Sequence, residues 1–172
     1  MRKGRVSHPH ADIPALLLRL ALGPMLITHG YNKVKGSGGL EGTTKWFDGL
    51  GLRPAWVHAR LAATTEIGAV ALITVGALNP LPAAAVIGLM TTAAATDHRG
   101  KGFFIFKGGW EYVAVVGTAA AALASLGYGR ISWDHLRGRQ RTGLGWALAA
   151  AALGLGNAGV LLATSYRPEE TT

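Results

Sequence analysis

The feature that most restricts this chain is a series of long apolar stretches almost free of charge, joined by short polar links: Ile13 to Tyr31, Ala55 to Leu78, Leu81 to Thr96, Trp110 to Gly127 and Gly143 to Ser165. Only 15% of the residues are charged, against about a quarter in an ordinary soluble domain. That distribution belongs to a membrane protein. Backbone groups in hydrocarbon must find partners within their own segment, so each stretch is expected to be a helix. The expected fold is all-α, a polytopic membrane bundle with a four-helix core and a fifth transmembrane helix at the carboxyl end.

The links divide the chain. Residues 1–12 form a polar basic tail, 13–134 the four-helix core, 135–142 a basic connector, 143–165 the fifth helix and 166–172 a polar tail. A basic start followed by an apolar run imitates a signal peptide, but no small-residue cleavage site follows, so the first helix is read as uncleaved. Residues 32–54 are polar and glycine-rich around Trp46 and Phe47, which suits an interfacial segment. Asn79-Pro80-Leu81-Pro82 permits only a tight turn, making the second and third helices antiparallel neighbours. In the fifth helix, Ala152, Gly156 and Gly159 are spaced to let another helix approach closely.

The chain has no cysteine, which excludes disulfides and thiolate-held iron–sulfur or zinc sites. An intrinsic haem would need a second inward histidine beside His29, and His58 and His98 both fall near an interface. The expectation is therefore no metal and no intrinsic cofactor. The net charge of +8 comes from basic residues in loops beside apolar spans, so the expected partner is anionic lipid and not nucleic acid.

Let A be the amino-terminal face and B the opposite one. An up-and-down path gathers His29, Lys33, Arg60, Asp97, His98, Lys107 and Glu111 near B, with Glu66 deeper and Arg19 nearest the membrane centre. Helical spacing puts Arg19, His29 and Lys33 on one broad face. A charge within a span needs a partner, and Arg19 with Glu66 is the simplest neutralising pair. Arg19, His29, Lys33, Glu66 and Glu111 are accordingly the candidate ligand-pocket residues, with no catalytic residue assigned.

Several short motifs occur in fixed order: Arg19-Leu-Ala-Leu-Gly23, His29-Gly30-Tyr-Asn-Lys33, Leu50-Gly51-Leu52-Arg53-Pro54, Glu66-Ile-Gly68, Gly109-Trp110-Glu111-Tyr112 and Gly129-Arg130-Ile131-Ser132-Trp133-Asp134. Across Arg19 to Asp134 they resemble the DoxX family of small four-helix membrane proteins, whose DoxD branch is a subunit of a thiosulfate:quinone oxidoreductase. The family pattern falls on Arg19, His29, Gly30, Lys33, Glu66 and Glu111. The resemblance implies a component of a membrane oxidoreductase system in the bacterial plasma membrane, working with a partner subunit and binding a quinone or similar amphiphile. Two other readings use the same residues. One is a small transporter or lipid-handling protein with an anion held by Arg19, Lys33 and Arg60; the other is a non-catalytic scaffold docking a partner on the fifth helix. Lys and Arg divide almost evenly between the two faces, so their count does not orient the chain.

Overall fold

The computed structural model describes residues 9–168. Most of the expected amino-terminal tail, and the last four residues of the carboxyl tail, lie outside them. Among the described residues the regular structure is helical, apart from one isolated bridge between Leu52 and Tyr166. Helix α1 is Asp12–Lys35, α2 is Gly39–Gly49, and α3, Ala55–Thr64, continues through a π-helical turn, Thr65–Ala69, into α4, Val70–Val75. Then come α5, Leu81–Ala95; α6, Glu111–Leu126; a short α7, Trp133–Leu136; and α8, Leu144–Ser165.

The apolar stretches thus become helices nearly as expected, and the glycine-rich link contains a further helix. On α2, Thr43 and Phe47 are buried while Trp46 is 45% exposed, so this helix lies along the bundle with one face inward. Two helices, α1 and α8, are long and apolar enough to cross a membrane; α5 and α6 are apolar but shorter.

The interior is built from Leu22 and Leu26 of α1, Val70 and Ile73 of α4, Val86 of α5, and Val116 and Leu123 of α6. The outside is no less apolar. Ile13, Leu17, Val115, Leu148, Leu155 and Val160 are all exposed. Helices that are apolar all round belong in hydrocarbon or a deep core.

Glycines set how closely the helices approach. A Cβ on Gly23 would lie 2.4 Å from Thr74 Oγ1, and one on Gly30 would lie 2.7 Å from Ile67 Cγ1 and 2.9 Å from Glu66 Cβ. Helix α1 therefore runs against the π-helical turn and α4 at nearly backbone contact. Helix α8 meets α5 in the same way, but with a different stripe from the one expected. Ala150, Gly154 and Ala158 are buried, whereas Ala152, Gly156 and Gly159 face outward. The reason is steric register. Gly154 sits where a Cβ would fall 2.6 Å from Ala84 O, while Gly156 and Gly159 have nothing within 4 Å. Gly154→Leu should consequently lever α8 away from α5 and cost about 2–3 kcal/mol, read as a lower melting temperature in detergent, with Gly156→Leu nearly silent.

Candidate functional site

Toward the B face, α1, α2, α3 with its π-helical turn, α5, α6 and the links beside them line a cavity of about 260 Å³. Its apolar walls include Phe47, Leu52, Leu89, Met90 and Val113, and its polar groups include His29, Lys33, Glu66, Asp97, His98 and Tyr112. Lys33 Nζ lies 2.8 Å from Glu66 Oε1 and 2.7 Å from Oε2. The two side chains are only 12% and 6% exposed, so this is a desolvated ion pair. Gly30 makes it possible, because any larger residue there would push α1 off the turn that carries Glu66. The turn matters as well: one π-helical turn inserts an extra residue into the helix, a distortion often found at functional sites, and Glu66 stands within it.

The other polar groups are arranged around this pair. The His29 ring lies 5.7 Å from that of Tyr112, and His29 is exposed on its outer side. Tyr112 Oη is buried with no hydrogen-bond partner among the described residues, a costly state for a hydroxyl unless something else supplies the partner. His98 Nδ1 is held 2.6 Å from Gly108 O, which ties the link after α5 to the start of α6. Thr43 Oγ1 donates to Lys33 O at 2.9 Å, fastening α2 over the cavity.

Arg19 is not part of this site, and the expected Arg19–Glu66 pair is not formed. Arg19 and Lys33 are fourteen positions apart along α1, about 21 Å at 1.5 Å per residue. Arg19 is buried at the A end, where Nε donates to Ile73 O at 3.1 Å and Nη2 to Thr74 O at 2.7 Å. Its Nη1 donates to Tyr128 O at 2.8 Å and Ile131 O at 2.6 Å. The physical reason is the end of α4. The last carbonyls of a helix have no partner within it, and a guanidinium, with five donors and a charge favoured at a helix carboxyl end, satisfies several at once.

A second polar group completes this end. Asp134 accepts from the backbone N–H of Leu78 and of Asn79, both at 2.9 Å. Asn79 Nδ2 donates to Ala124 O and Arg141 O, and Arg141 Nη1 returns a bond to Asn79 O. Gly76 (φ +73°) is required here, since a Cβ would lie 2.5 Å from that of Ser132 and 3.1 Å from Arg19 Cζ. Burial, reinforced by the Asp134 carboxylate and opposed by Arg19, raises the Tyr128 phenol above its ordinary pKa and keeps it neutral. The polar residues therefore form two centres: an A end where Arg19, Asp134 and Asn79 cap backbone groups, and a B end with a cavity.

Glu111 is also outside the cavity lining. Its Oε2 accepts from Ile105 N at 3.1 Å, closing the short helical turn Ile105–Lys107. Arg60 is exposed and lies over the Trp56 ring at 5.5 Å. Asp97 and His98, expected near B, border the cavity, as do Trp46, from the link expected at the interface, and Tyr112. Their signal in the sequence was position alone, at the B-side ends of their segments. No three His, Asp or Glu side chains gather closely enough to hold a metal ion among the described residues.

A family model described as DoxX matches residues 15–99. No curated protein and no solved structure matches the chain.

Proposed function

This chain belongs to the DoxX family through residues 15–99, and on that premise we propose that it is a component of a membrane-associated oxidoreductase system, binding a quinone or similar amphiphile in the B-side cavity. Membership makes it a membrane protein of a family often linked to oxidoreductase-related systems. The observation that carries the finer reading is the Lys33–Glu66 pair together with the orphaned Tyr112 hydroxyl, in a cavity that also presents His29, Asp97 and His98 among walls such as Phe47, Leu89, Met90 and Val113. A molecule with a polar head and a greasy tail matches such a lining.

The donors fit that ligand. Tyr112 O–H donates to a ring carbonyl, Glu66 holds or passes a proton at its carboxylate, and Lys33 balances the carboxylate's charge. His29, reaching from the cavity to the exterior, carries the proton between Glu66 and the B face. A bound quinone would supply the electron acceptance, since the proposal gives the chain no metal or cofactor of its own. The partners are membrane lipid and a separate oxidoreductase subunit, and the location is the bacterial plasma membrane. In this reading α1, α3–α4, α5 and α6 cross the bilayer and α8 adds a fifth crossing. Helices α5 and α6, of 15 and 16 residues, are short for a ~30 Å hydrocarbon layer, so the bilayer thins or the links beside them complete the passage.

An anion transporter is less well supported. Arg19 lies at the other end, Arg60 is exposed, and Lys33 is already neutralised by Glu66.

The test is to purify the protein with native lipid, extract the bound quinones, and repeat with Glu66→Gln and His29→Ala. Wild type should retain quinone above an unrelated helical bundle of similar size, and both variants should retain less. Background-level retention in wild type, with added quinone leaving the melting temperature unmoved, defeats the proposal.

A further inference from the structure

We infer that a second cavity, adjoining the first and opening sideways between α3, α5 and α8, holds the hydrocarbon tail of the quinone whose head occupies the B-side cavity; this rests on the function just proposed. The second space is about 210 Å³, with Leu61, Ala85, Gly88 and Leu161 among its walls. Phe47, Leu52, Ala62, Leu89 and Thr92 border both cavities. None of these shared residues is charged.

The position of the opening identifies what enters it. Leu61 and Asn157 at its rim are exposed, and Asn157 falls near the middle of the 22-residue α8. An opening at that depth faces acyl chains and not water. Polar groups along the wall are partly spent on backbone: Thr92 Oγ1 donates to Gly88 O at 3.0 Å, and His58 Nε2 lies 3.3 Å from Arg53 O, while His58 Nδ1 is buried with no partner among the described residues. Helix α8 forms this wall because Gly154 seats it against α5, and α8 lies beyond the family match at 15–99.

A tail leaving a bilayer gains little by simple burial, because lipid is already apolar. The cleft acts through shape, by fixing where the tail runs and so how the head is presented to Tyr112 and Glu66. The test uses a quinone carrying a long alkyl tail with a terminal diazirine, a tail-less quinone with the same head, and a fatty acid bearing the same diazirine. In wild type, the tailed quinone should label peptides containing Leu61 and Leu161, and excess unlabelled tailed quinone should abolish that labelling. Ala85→Phe, which fills the cleft, should weaken the tailed quinone roughly tenfold and leave the tail-less quinone within about twofold.

Label confined to the outer faces of α1 or α6 would overturn the inference, as would equal, undisplaced labelling by the fatty acid. Unchanged binding of the tailed quinone to a folded Ala85→Phe variant would also overturn it. If Ala85→Phe does not fold, the wild-type labelling pattern decides. Failure of the tail-less quinone to bind wild type strikes instead at the proposed function, so the two failures are separable.

Discussion

Arg19→Leu is expected to be among the most damaging single changes in the molecule, costing about 3–5 kcal/mol of stability in detergent. The figure follows from three backbone carbonyls, those of Thr74, Tyr128 and Ile131, that lose the guanidinium at once while Ile73 O keeps its bond from Gly76 N, each buried orphan costing about 1–3 kcal/mol less whatever water recovers. Arg19→Lys should restore under half of the loss, because an ammonium cannot reproduce a planar fork with five donors. Crossing Arg19→Leu with Glu66→Leu should give losses that add to within about 0.5 kcal/mol, as expected of residues with no shared partner. Unfolding monitored by circular dichroism during a denaturing-detergent titration measures all three. If Glu66→Leu relieves the defect of Arg19→Leu, the carbonyl clamp is not the reason Arg19 is buried.

The Lys33–Glu66 pair should behave in the opposite way. Lys33→Met or Glu66→Leu alone leaves one buried charge unpaired and should cost about 3–5 kcal/mol, whereas the double change should cost less than either. The same titration measures it, and a double variant no more stable than the singles would show that the pair is not the desolvated contact described. Ligand retention gives an independent reading. The double variant should stay folded yet lose quinone, because the polar head would have lost its counterpart while the apolar walls remain.

The two experiments together separate what was legible in the residues from what was not. Apolar length and the scarcity of charge were enough to place the helices within a few residues, since a segment without polar side chains has few alternatives once its backbone must bond to itself. Inward placement of Arg19, Lys33 and Glu66 was legible too, because charges in such segments cannot face lipid. Their partners were not. Arg19 and Glu66 pair most simply when only side-chain charges are counted, but the strongest acceptors near Arg19 are backbone carbonyls at a helix end. Carbonyls carry no letter in a sequence. Asp134 and Asn79 were missed for the same reason, since their partners are backbone atoms of distant links.

By itself, then, the sequence determined an all-helical, lipid-suited chain with its charges turned inward, because hydrophobicity and backbone satisfaction act locally along each segment. Tertiary structure decided which charge meets which partner, which small residues lie between helices, and where space remains. Those outcomes depend on axial register: Gly30 against Glu66, Gly76 beneath Arg19 and Gly154 against Ala84 set the helices at heights that no single helix specifies. A shift of one turn, about 5.4 Å, would leave every residue on its face and destroy the pair, the clamp and the cavity alike.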